Sequence, residues 1–200
     1  MECVILCGGQ SARMGQEKAR LPWQGREIVD VLAERLAGIG RGSLSVAFPG
    51  QLAGKPYPRL SDAVPGAGPL GGICAALAAG GDPEDEVFIA ACDMPFLTAE
   101  TVLSLSAALP AEGDAAVPLG PDGWRHPLCA VYRRRAGRVF QEQLEAGRFR
   151  LRDALDRLSI AYIPADRLPG GAAVLTNLNT AAAYQTACLA ARRHREGNDG

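Results

Sequence analysis

The chain alternates strand-like and helix-like segments from end to end, and this alternation constrains its fold more than any other feature. Apolar runs at residues 3–7 and 87–92 are typical of parallel strands that are covered on both faces. Segments at residues 28–36, 73–77 and 98–109 have helical character. The order predicts an α/β fold with a doubly wound, mostly parallel sheet and helices on both faces.

The rest of the chain continues this pattern without a break that would mark a second domain. Residues 43–48, 60–62, 115–117 and 127–132 have strand character, and residues 138–144 form a further predicted helix. Thr180 is expected to cap a last helix through Tyr184 and Leu189. We predict one domain over residues 1–191, followed by a disordered polar tail at residues 192–200.

A glycine-rich loop with two cations follows the first strand directly. Gly8 and Gly9 end the strand, and Arg13, Gly15 and Lys18 come next. Glycine lets backbone approach a ligand closely, and loop amides with nearby cations bind phosphate oxygens. The spacing matches neither a P-loop nor Gly-x-Gly-x-x-Gly. It predicts a nucleoside triphosphate site; the alternative is a tight loop before a surface helix with both cations solvated.

Asp93 is the strongest candidate for a metal ligand. It follows the apolar run at residues 87–92 and precedes Met94 and Pro95. In doubly wound sheets, ligands bind at the carboxyl ends of the strands. Mg²⁺ takes hard oxygen ligands, often one or two carboxylates plus substrate phosphates. We therefore predict that Asp93 holds Mg²⁺, with a turn or helix-capping aspartate as the alternative.

Two further polar groups are candidates for recognising planar ligands. Asp62 lies shortly before the glycine-rich turn at residues 68–72, where it can accept from an amine or a hydroxyl. Close packing of a helix on the sheet is an equally weighted alternative for this turn. Asn177 and Asn179 are two residues apart, which places both amides on one face of an extended segment. They either bind a hydrogen-bonding ligand or cap the next helix.

Four ordered motifs resemble one known family. Residues 6–18 read Leu-Cys-Gly-Gly-x-Ser-x-Arg-Met-Gly-x-x-Lys, which is similar to the signature of the molybdenum cofactor guanylyltransferases, within the wider group of nucleotidyltransferases. Asp62 with residues 68–72, then residues 91–95, then residues 177–180 extend the resemblance over nearly the whole chain. The resemblance implies a Rossmann-like fold of the nucleotide-diphospho-sugar transferase type.

The resemblance also implies an activity and a set of site residues. The expected reaction transfers GMP from GTP to the phosphate of molybdopterin, requires Mg²⁺ and releases pyrophosphate. Lys18, Asp93 and Arg13 are the catalytic candidates, Asp93 is the metal ligand, and Asn177, Asn179 and His126 are the acceptor-binding candidates, although an isolated histidine at a strand start, such as His126, is more often structural. The expected nucleotide contacts are Leu6, Cys7, Gly8, Gly9, Gly15, Lys18, Asp62, Gly68, Gly72 and Asp93.

Two departures from the family pattern leave other functions open. Glu17 stands before Lys18 where the family usually has aspartate, and residues 46–50 lack the asparagine or other polar residue often found near the base. Transfer of CMP to the same pterin, transfer to a sugar phosphate, and a non-catalytic nucleotide-binding module are the alternatives. The presence of both Lys18 and Asp93 argues against the last one.

Composition excludes several other classes of protein. The net charge is −1 over 200 residues, so no basic surface for nucleic acid is expected. Six cysteines occur without a Cys-x-x-Cys pair, which argues against a metal or disulfide framework. No long apolar stretch or secretory signal is present, so we expect a cytoplasmic protein without a membrane partner. Other cofactor-biosynthesis or molybdoenzyme-maturation proteins are the candidate protein partners.

Overall fold

The structure is a computed structural model, and it describes residues 1–8, 10–11, 16–46, 52–62, 64 and 66–196. The helices are α1 (Ile28–Ala37), α2 (Pro69–Ala78), α3 (Ala99–Ala107), α4 (Gly137–Glu145), α5 (Leu151–Leu155) and α6 (Ala181–Glu196). The strands are β1 (Glu2–Leu6), β2 (Gln10–Ser11), β3 (Gln16–Glu17), β4 (Pro22–Trp23), β5 (Arg26–Glu27), β6 (Arg41–Val46), β7 (Arg59–Ser61), β8 (Glu86–Ala91), β9 (Ala115–Leu119), β10 (Cys129–Arg133) and β11 (Ile160–Pro164).

Within the described residues, seven strands form one central sheet in the order β11-β9-β10-β8-β1-β6-β7. Strand β1 pairs in parallel with both β6 and β8, so that Leu6 lies beside Ser45 on one side and Ala91 on the other. Strand β10 runs antiparallel to β8 and β9, while β9 and β11 are parallel. The carboxyl ends of six strands and the start of β10 therefore meet at one edge of the sheet.

Hydrophobic side chains cover both faces of this sheet, as the apolar β1 pattern predicts. Cys3 and Ile5 point to the face that packs against α1, α3 and α6, whereas Val4 and Leu6 point to the face that packs against α2, α4 and α5. Successive side chains of a strand alternate between faces, so β1 contributes to both layers of the core. The predicted doubly wound, mostly parallel fold is confirmed.

Two short hairpins lie between β1 and α1. Strands β2 and β3 pair antiparallel, with Gln10 opposite Glu17, and the 3₁₀ turn Lys18–Arg20 follows. Strands β4 and β5 are joined by Gln24 and Gly25, whose φ values of 53° and 85° fit a type I′ turn. The first hairpin brings the chain back toward the end of β1 and delivers Lys18 to the edge of the sheet.

The structure corrects several element boundaries. Strand β11 and helix α5 were not expected, because short segments with mixed burial carry weak periodicity. Helix α6 runs to Glu196, so residues 192–196 of the predicted tail are helical. Residues 197–200, and residues 47 and 48 of the predicted second strand, lie outside the described residues. The prediction of one domain over residues 1–191 stays a prediction.

Candidate active site

A cavity of about 650 Å³ lies at the edge where the carboxyl ends of the parallel strands meet. Helices α2 and α5, the segment between β9 and β10, and residues 177 and 179 also line it, so residues from distant parts of the chain reach one space. The cavity brings together ten of the predicted site residues: Leu6, Gly8, Lys18, Asp62, Gly68, Gly72, Asp93, His126, Asn177 and Asn179.

The Lys18 ammonium lies at the centre of the predicted catalytic group. Its Nζ donates to Asp93 Oδ2 at 3.1 Å and to Asn179 Oδ1 at 2.6 Å. The Asp93 side chain is 7% exposed and the Lys18 side chain 24% exposed. A carboxylate and an amide oxygen thus converge on one cation in a partly desolvated position, where electrostatic interactions are stronger than in water.

Backbone hydrogen bonds fix Asp93 between the sheet and the segment at residues 177–179. The Cys92 amide donates to the Leu6 carbonyl at 3.2 Å, and the Leu178 amide donates to the Asp93 carbonyl at 3.0 Å. Cys92 and Met94 are both buried, so the residues on either side anchor the turn. The carboxylate is consequently held at the strand end, as its place after β8 predicts.

The neighbours of Lys18 in sequence fix the position of its backbone. Ala19 and Leu21 are buried in the core, and the Leu21 amide donates to the Lys18 carbonyl at 3.1 Å. Glu17 pairs with Arg20 Nε at 2.9 Å. The departure at Glu17 from the usual aspartate therefore leaves Lys18 directed toward Asp93.

The two asparagines face the cavity because the residue between them faces the core. Leu178 is fully buried in the same cluster as β8, and alternation along an extended segment directs its neighbours to the opposite side. Both Asn177 and Asn179 line the cavity. The cap of α6 is made by Thr180, whose Oγ1 accepts from the Ala183 amide at 3.1 Å, and not by Asn179.

Asp62 lies at the other end of the cavity and is held by Ser45. The Ser45 hydroxyl donates to Asp62 Oδ1 at 2.9 Å. Burial raises the pKa of the Asp62 carboxyl, and the hydrogen bond from Ser45 opposes that rise. A Cβ added to Gly72 would lie 3.0 Å from both Leu6 Cδ2 and Ser45 Oγ. The glycine turn therefore permits close packing of α2 on the sheet, while Asp62 and Gly68 still border the cavity.

Several predicted residues are placed differently or lie outside the described part of the chain. The Cys7 side chain packs in the core on the face opposite the Leu6 side chain, and its amide donates to the Ser45 carbonyl at 2.8 Å. Cys7 is not among the cavity-lining residues. Gly9, Arg13 and Gly15 fall outside the described residues, so their predicted roles stay predictions.

His126 is half-buried at the rim of the cavity. Burial lowers the pKa of its imidazole, which favours the neutral form. A Cβ on Gly120 would lie 3.1 Å from His126 Nε2 and 2.7 Å from Asp122 Oδ1, so glycine leaves room for this turn. His126 thus lies where an acceptor-binding residue is expected, and it also helps to pack the loop.

Comparison with known proteins relates this arrangement to one enzyme family. The model of the MobA-like NTP transferase domain matches residues 3–161. A Bacillus subtilis (strain 168) protein named probable molybdenum cofactor guanylyltransferase is 34% identical over 183 residues, covering 88% of this chain and 89% of the relative. A Mycobacterium tuberculosis (H37Rv) protein of the same name is 37% identical over 190 residues, covering 90% and 89%. The chain belongs to the MobA-like NTP transferase family. It is a nucleotidyltransferase.

Solved structures agree with this family at the level of the fold. Molybdopterin-guanine dinucleotide biosynthesis protein A from Archaeoglobus fulgidus superposes with a TM-score of 0.82 at 23% identity, covering 96% of this chain and 100% of that chain. A Thermus thermophilus 2-C-methyl-D-erythritol 4-phosphate cytidylyltransferase gives 0.65 at 17% identity, covering 94% and 98%. The predicted family resemblance is confirmed.

The polar groups of this nucleotidyltransferase fit a hard divalent cation. Asp93 supplies a carboxylate and Asn179 an amide oxygen, which are donor types that Mg²⁺ takes. No cluster of three or more His, Cys, Asp or Glu side chains suited to a metal occurs in the described residues. A cation bound by Asp93 would complete its shell with phosphate and water oxygens.

The cysteines of the transferase are core residues, as predicted. None of the six forms a disulfide, and five are buried. A hydrogen bond with Cys92 and burial raise the pKa of the Cys7 thiol well above its ordinary value. Cys92 lines the cavity beside Asp93.

Among the described residues, no helix combines the length and the apolar character that crossing a membrane requires.

Sequence reasoning missed other residues that line the cavity. Ser45 lies near the end of β6, in a strand without a motif, and only the register of β6 against β7 shows that it meets Asp62. Trp124 and Leu151 lie in segments without a motif. In the sequence, a tryptophan two residues before a histidine was the available signal, and its meaning depends on where the loop lies.

Proposed function

We propose that this transferase transfers GMP from GTP to the phosphate of molybdopterin, with Mg²⁺ bound, and releases pyrophosphate. The names of the bacterial relatives support GTP and molybdopterin as the substrates. The observation that carries the proposal is the contact of Lys18 with both Asp93 and Asn179 in the middle of the cavity. This triad unites a phosphate-binding cation, a metal-binding carboxylate and an amide from three separate motifs.

The strand order separates two groups of cavity residues on either side of this triad. Ser45 lies in β6 and Asp62 directly follows β7, whereas His126 precedes β10. Strands β6 and β10 are three positions apart, so the two groups are roughly 14 Å apart at the usual strand spacing. The guanine base is assigned to the Asp62 region and the pterin to the His126 region. The reacting phosphates then lie between them, beside Lys18.

The chemistry follows from charge stabilisation rather than from a general base. The second pKa of a phosphate monoester is near 6, so the acceptor is already ionised at neutral pH. An acceptor oxygen attacks the α-phosphorus, the bond to the bridging oxygen breaks, and pyrophosphate leaves with both bonding electrons. The Lys18 ammonium stabilises the negative charge that develops on the leaving group. Mg²⁺ held by Asp93 would supply further positive charge beside the phosphates.

Asp62 is the residue proposed to select guanine. Its carboxylate can accept from both the N1–H and the exocyclic amine of guanine, an edge that adenine and cytosine do not present. The Ser45 hydroxyl donates to Oδ1, which keeps a second lone pair, so both carboxylate oxygens can accept from guanine. A cytoplasmic location and contacts with other proteins of cofactor biosynthesis are also part of the proposal.

A direct competition among nucleotides tests the proposal. Purified enzyme is incubated with molybdopterin, Mg²⁺ and equal concentrations of GTP, CTP and ATP, and the dinucleotide products and pyrophosphate are quantified. We expect the guanine dinucleotide to dominate and to form in equal amount with pyrophosphate. A product that is mainly the cytosine dinucleotide would reject guanine selection by Asp62, and no product from any nucleotide would reject the reaction itself.

A further inference from the structure

Trp124 is exposed in an unusual place. Its side chain is 71% exposed although it lines the cavity, whereas Trp23, the other tryptophan, is 1% exposed in the core. A large aromatic side chain gains free energy by covering its faces, and exposed ones are characteristic of binding surfaces. No role in the packing of the fold accounts for the position of Trp124.

The backbone holds Trp124 firmly in this position. The Trp124 amide donates to Asp122 Oδ1 at 3.0 Å, and the Gly120 amide donates to the Trp124 carbonyl at 2.8 Å. Gly123 has a φ of 75°, which glycine adopts without strain and which closes the turn before Trp124. Since the turn is ordered by its own hydrogen bonds, little conformational entropy remains to be lost when a ligand covers the indole.

The contacts of the residues next to Trp124 show which side chains of this segment are available to a ligand. Arg125 forms a β-bridge with Leu119, and Trp124, Arg125 and His126 all line the cavity. Arg125 is occupied by an ion pair with Asp156 at 2.5 Å, and its guanidinium lies 5.0 Å from the centre of the Tyr162 ring. Trp124 and His126 remain available to the cavity.

The location of Trp124 identifies which part of the substrates it meets. The turn that carries Trp124 joins β9 to β10. Asp62 directly follows β7, so it lies farther along the same edge of the sheet, on the other side of Lys18 and Asp93. A base bound at Asp62 with its α-phosphate at Lys18 does not reach Trp124. The apolar side chains of Leu128 and Leu151 also line the cavity and belong to the same side of the core.

We infer that Trp124 is a stacking platform for the fused planar ring system of the acceptor, the pterin. The inference rests on the proposed function and adds the residue that recognises the acceptor ring. The face of the Trp124 indole covers the flat heteroaromatic ring, and the His126 side chain lies beside that ring in the cavity. Stacking is tolerant of ring substituents, so this contact holds the acceptor without reading its hydrogen-bonding edge.

Steady-state kinetics of matched variants test the inference. Trp124→Ala should raise the KM for molybdopterin about tenfold or more, which is the loss expected for one aromatic stacking contact. The maximal rate at saturating acceptor and the KM for GTP should stay unchanged, because neither depends on the indole. Trp124→Phe should keep the KM within about threefold of wild type. Leu103→Ala on α3, 53% exposed and away from the cavity, is the control.

Oxidative footprinting read by mass spectrometry gives a second, local measurement. Hydroxyl radicals should oxidise Trp124 in the free enzyme, and addition of neopterin, a free pterin, should reduce that oxidation, whereas GTP with Mg²⁺ should not. Leu189, which is 56% exposed on α6, reports the radical dose, and buried Trp23 reports the integrity of the fold.

The outcomes separate this inference from the proposed function. Wild-type transfer with an unchanged molybdopterin KM in Trp124→Ala, or no protection by neopterin, overturns the stacking role and leaves the function standing. A change in oligomeric state of Trp124→Ala with an unchanged KM assigns the indole to a contact between copies and also overturns it. Absence of transfer by the wild-type enzyme overturns both.

Discussion

The Lys18 ammonium joins two oxygens that come from distant parts of the chain. It lies 3.1 Å from Asp93 Oδ2 and 2.6 Å from Asn179 Oδ1, and Asn179 is 161 residues away in sequence. Without phosphates, the ammonium neutralises the carboxylate. In the proposed reaction, the same charge would stabilise the leaving pyrophosphate, so each of the three residues has a testable contribution.

Replacing Asp93 with asparagine tests the carboxylate. Asp93→Asn keeps the shape of the side chain but removes the charge that holds a hard cation, so we expect transfer to fall by roughly 100-fold or more. Removing Mg²⁺ with a chelator should reduce the wild-type rate to a similar level. Asp166→Asn, in the exposed part of the 3₁₀ segment Ala165–Arg167, should transfer at the wild-type rate. Near-normal transfer by Asp93→Asn at saturating Mg²⁺ would contradict the role.

Replacing Lys18 with alanine tests transition-state stabilisation. We expect the maximal rate to fall by roughly 10²–10³-fold with a smaller change in the KM for GTP, because the charge matters most as pyrophosphate leaves. Lys55 offers a matched lysine, since it pairs with Asp30 at 2.6 Å and does not line the cavity. Lys55→Ala should keep the maximal rate. A change confined to the GTP KM in Lys18→Ala would make Lys18 a ground-state binding residue.

Asp62 offers a prediction that links stability to pH. Burial raises its pKa above the ordinary 3.8, so the folded state disfavours the ionised form. The stability that this group contributes is complete below pH 3.8 and is lost as the pH rises through the folded pKa. Asp62→Asn cannot ionise and should therefore raise the melting temperature at neutral pH, and this gain should vanish in acid.

The same variant should lose selectivity for GTP. Removal of one charged hydrogen-bonding partner costs on the order of 1–3 kcal/mol, which corresponds to roughly tenfold or more in the GTP to ATP ratio of kcat/KM. Thermal melts at several pH values and competition kinetics measure the two effects separately. A lower melting temperature at neutral pH would show that the carboxylate stabilises the empty site.

At the scale of elements, a buried arginine ties three segments together. Arg134, directly after β10, donates through Nη1 to the carbonyls of Ala76 and Leu77 at 3.2 and 3.3 Å, near the end of α2. Its Nη2 pairs with Glu2 at the start of β1. The guanidinium thereby satisfies carbonyls that a helix end leaves without partners, and it fixes the carboxyl end of α2 on the sheet.

Removing this arginine should destabilise the fold strongly. Arg134→Leu leaves Glu2 without its buried partner, which typically costs about 3–5 kcal/mol in the free energy of unfolding. Urea denaturation measures the change in the free energy of unfolding. If the slope of this free energy against urea concentration is unchanged, the substitution has altered stability and not the compactness of the folded state. Arg26→Leu breaks an exposed pair with Glu34 and should leave the midpoint almost unchanged. Equal effects of the two substitutions would contradict the role of Arg134.

At the scale of the whole molecule, one sheet is shared by both hydrophobic layers. Trp23 belongs to the layer beneath α1 and packs edge-on against Phe96 with ring centres 5.5 Å apart, while Tyr132 and Phe140 form a similar pair at 5.6 Å in the other layer. Because each strand contributes side chains to both layers, loss of one layer exposes the other.

We expect residues 1–191 to unfold as one unit for this reason. In Trp124→Phe, the remaining Trp23 reports the first layer by fluorescence, and far-ultraviolet circular dichroism reports all helices and strands. The two urea transitions should coincide, as they do for a two-state domain. Transitions with separate midpoints would indicate two units and would contradict the one-domain prediction.

The local features of the fold and the centre of the site follow from the sequence. The apolar pattern at residues 87–92 predicts a buried strand and places Asp93 at its end, and the structure shows both. Thr180 caps α6 as its residue type suggests. These predictions succeed because they depend on side-chain periodicity and on local hydrogen bonding, which act over a few residues.

Only the tertiary structure decided which segments are neighbours. The antiparallel direction of β10 brings Trp124 and His126 to the edge where the parallel strands end, and the register of β6 against β7 brings Ser45 to Asp62. Strand order and register are set by the packing of both faces of the sheet at once, which local sequence does not encode. The sequence therefore determined which chemical groups the site has, and the packing of the sheet determined which of them face one another.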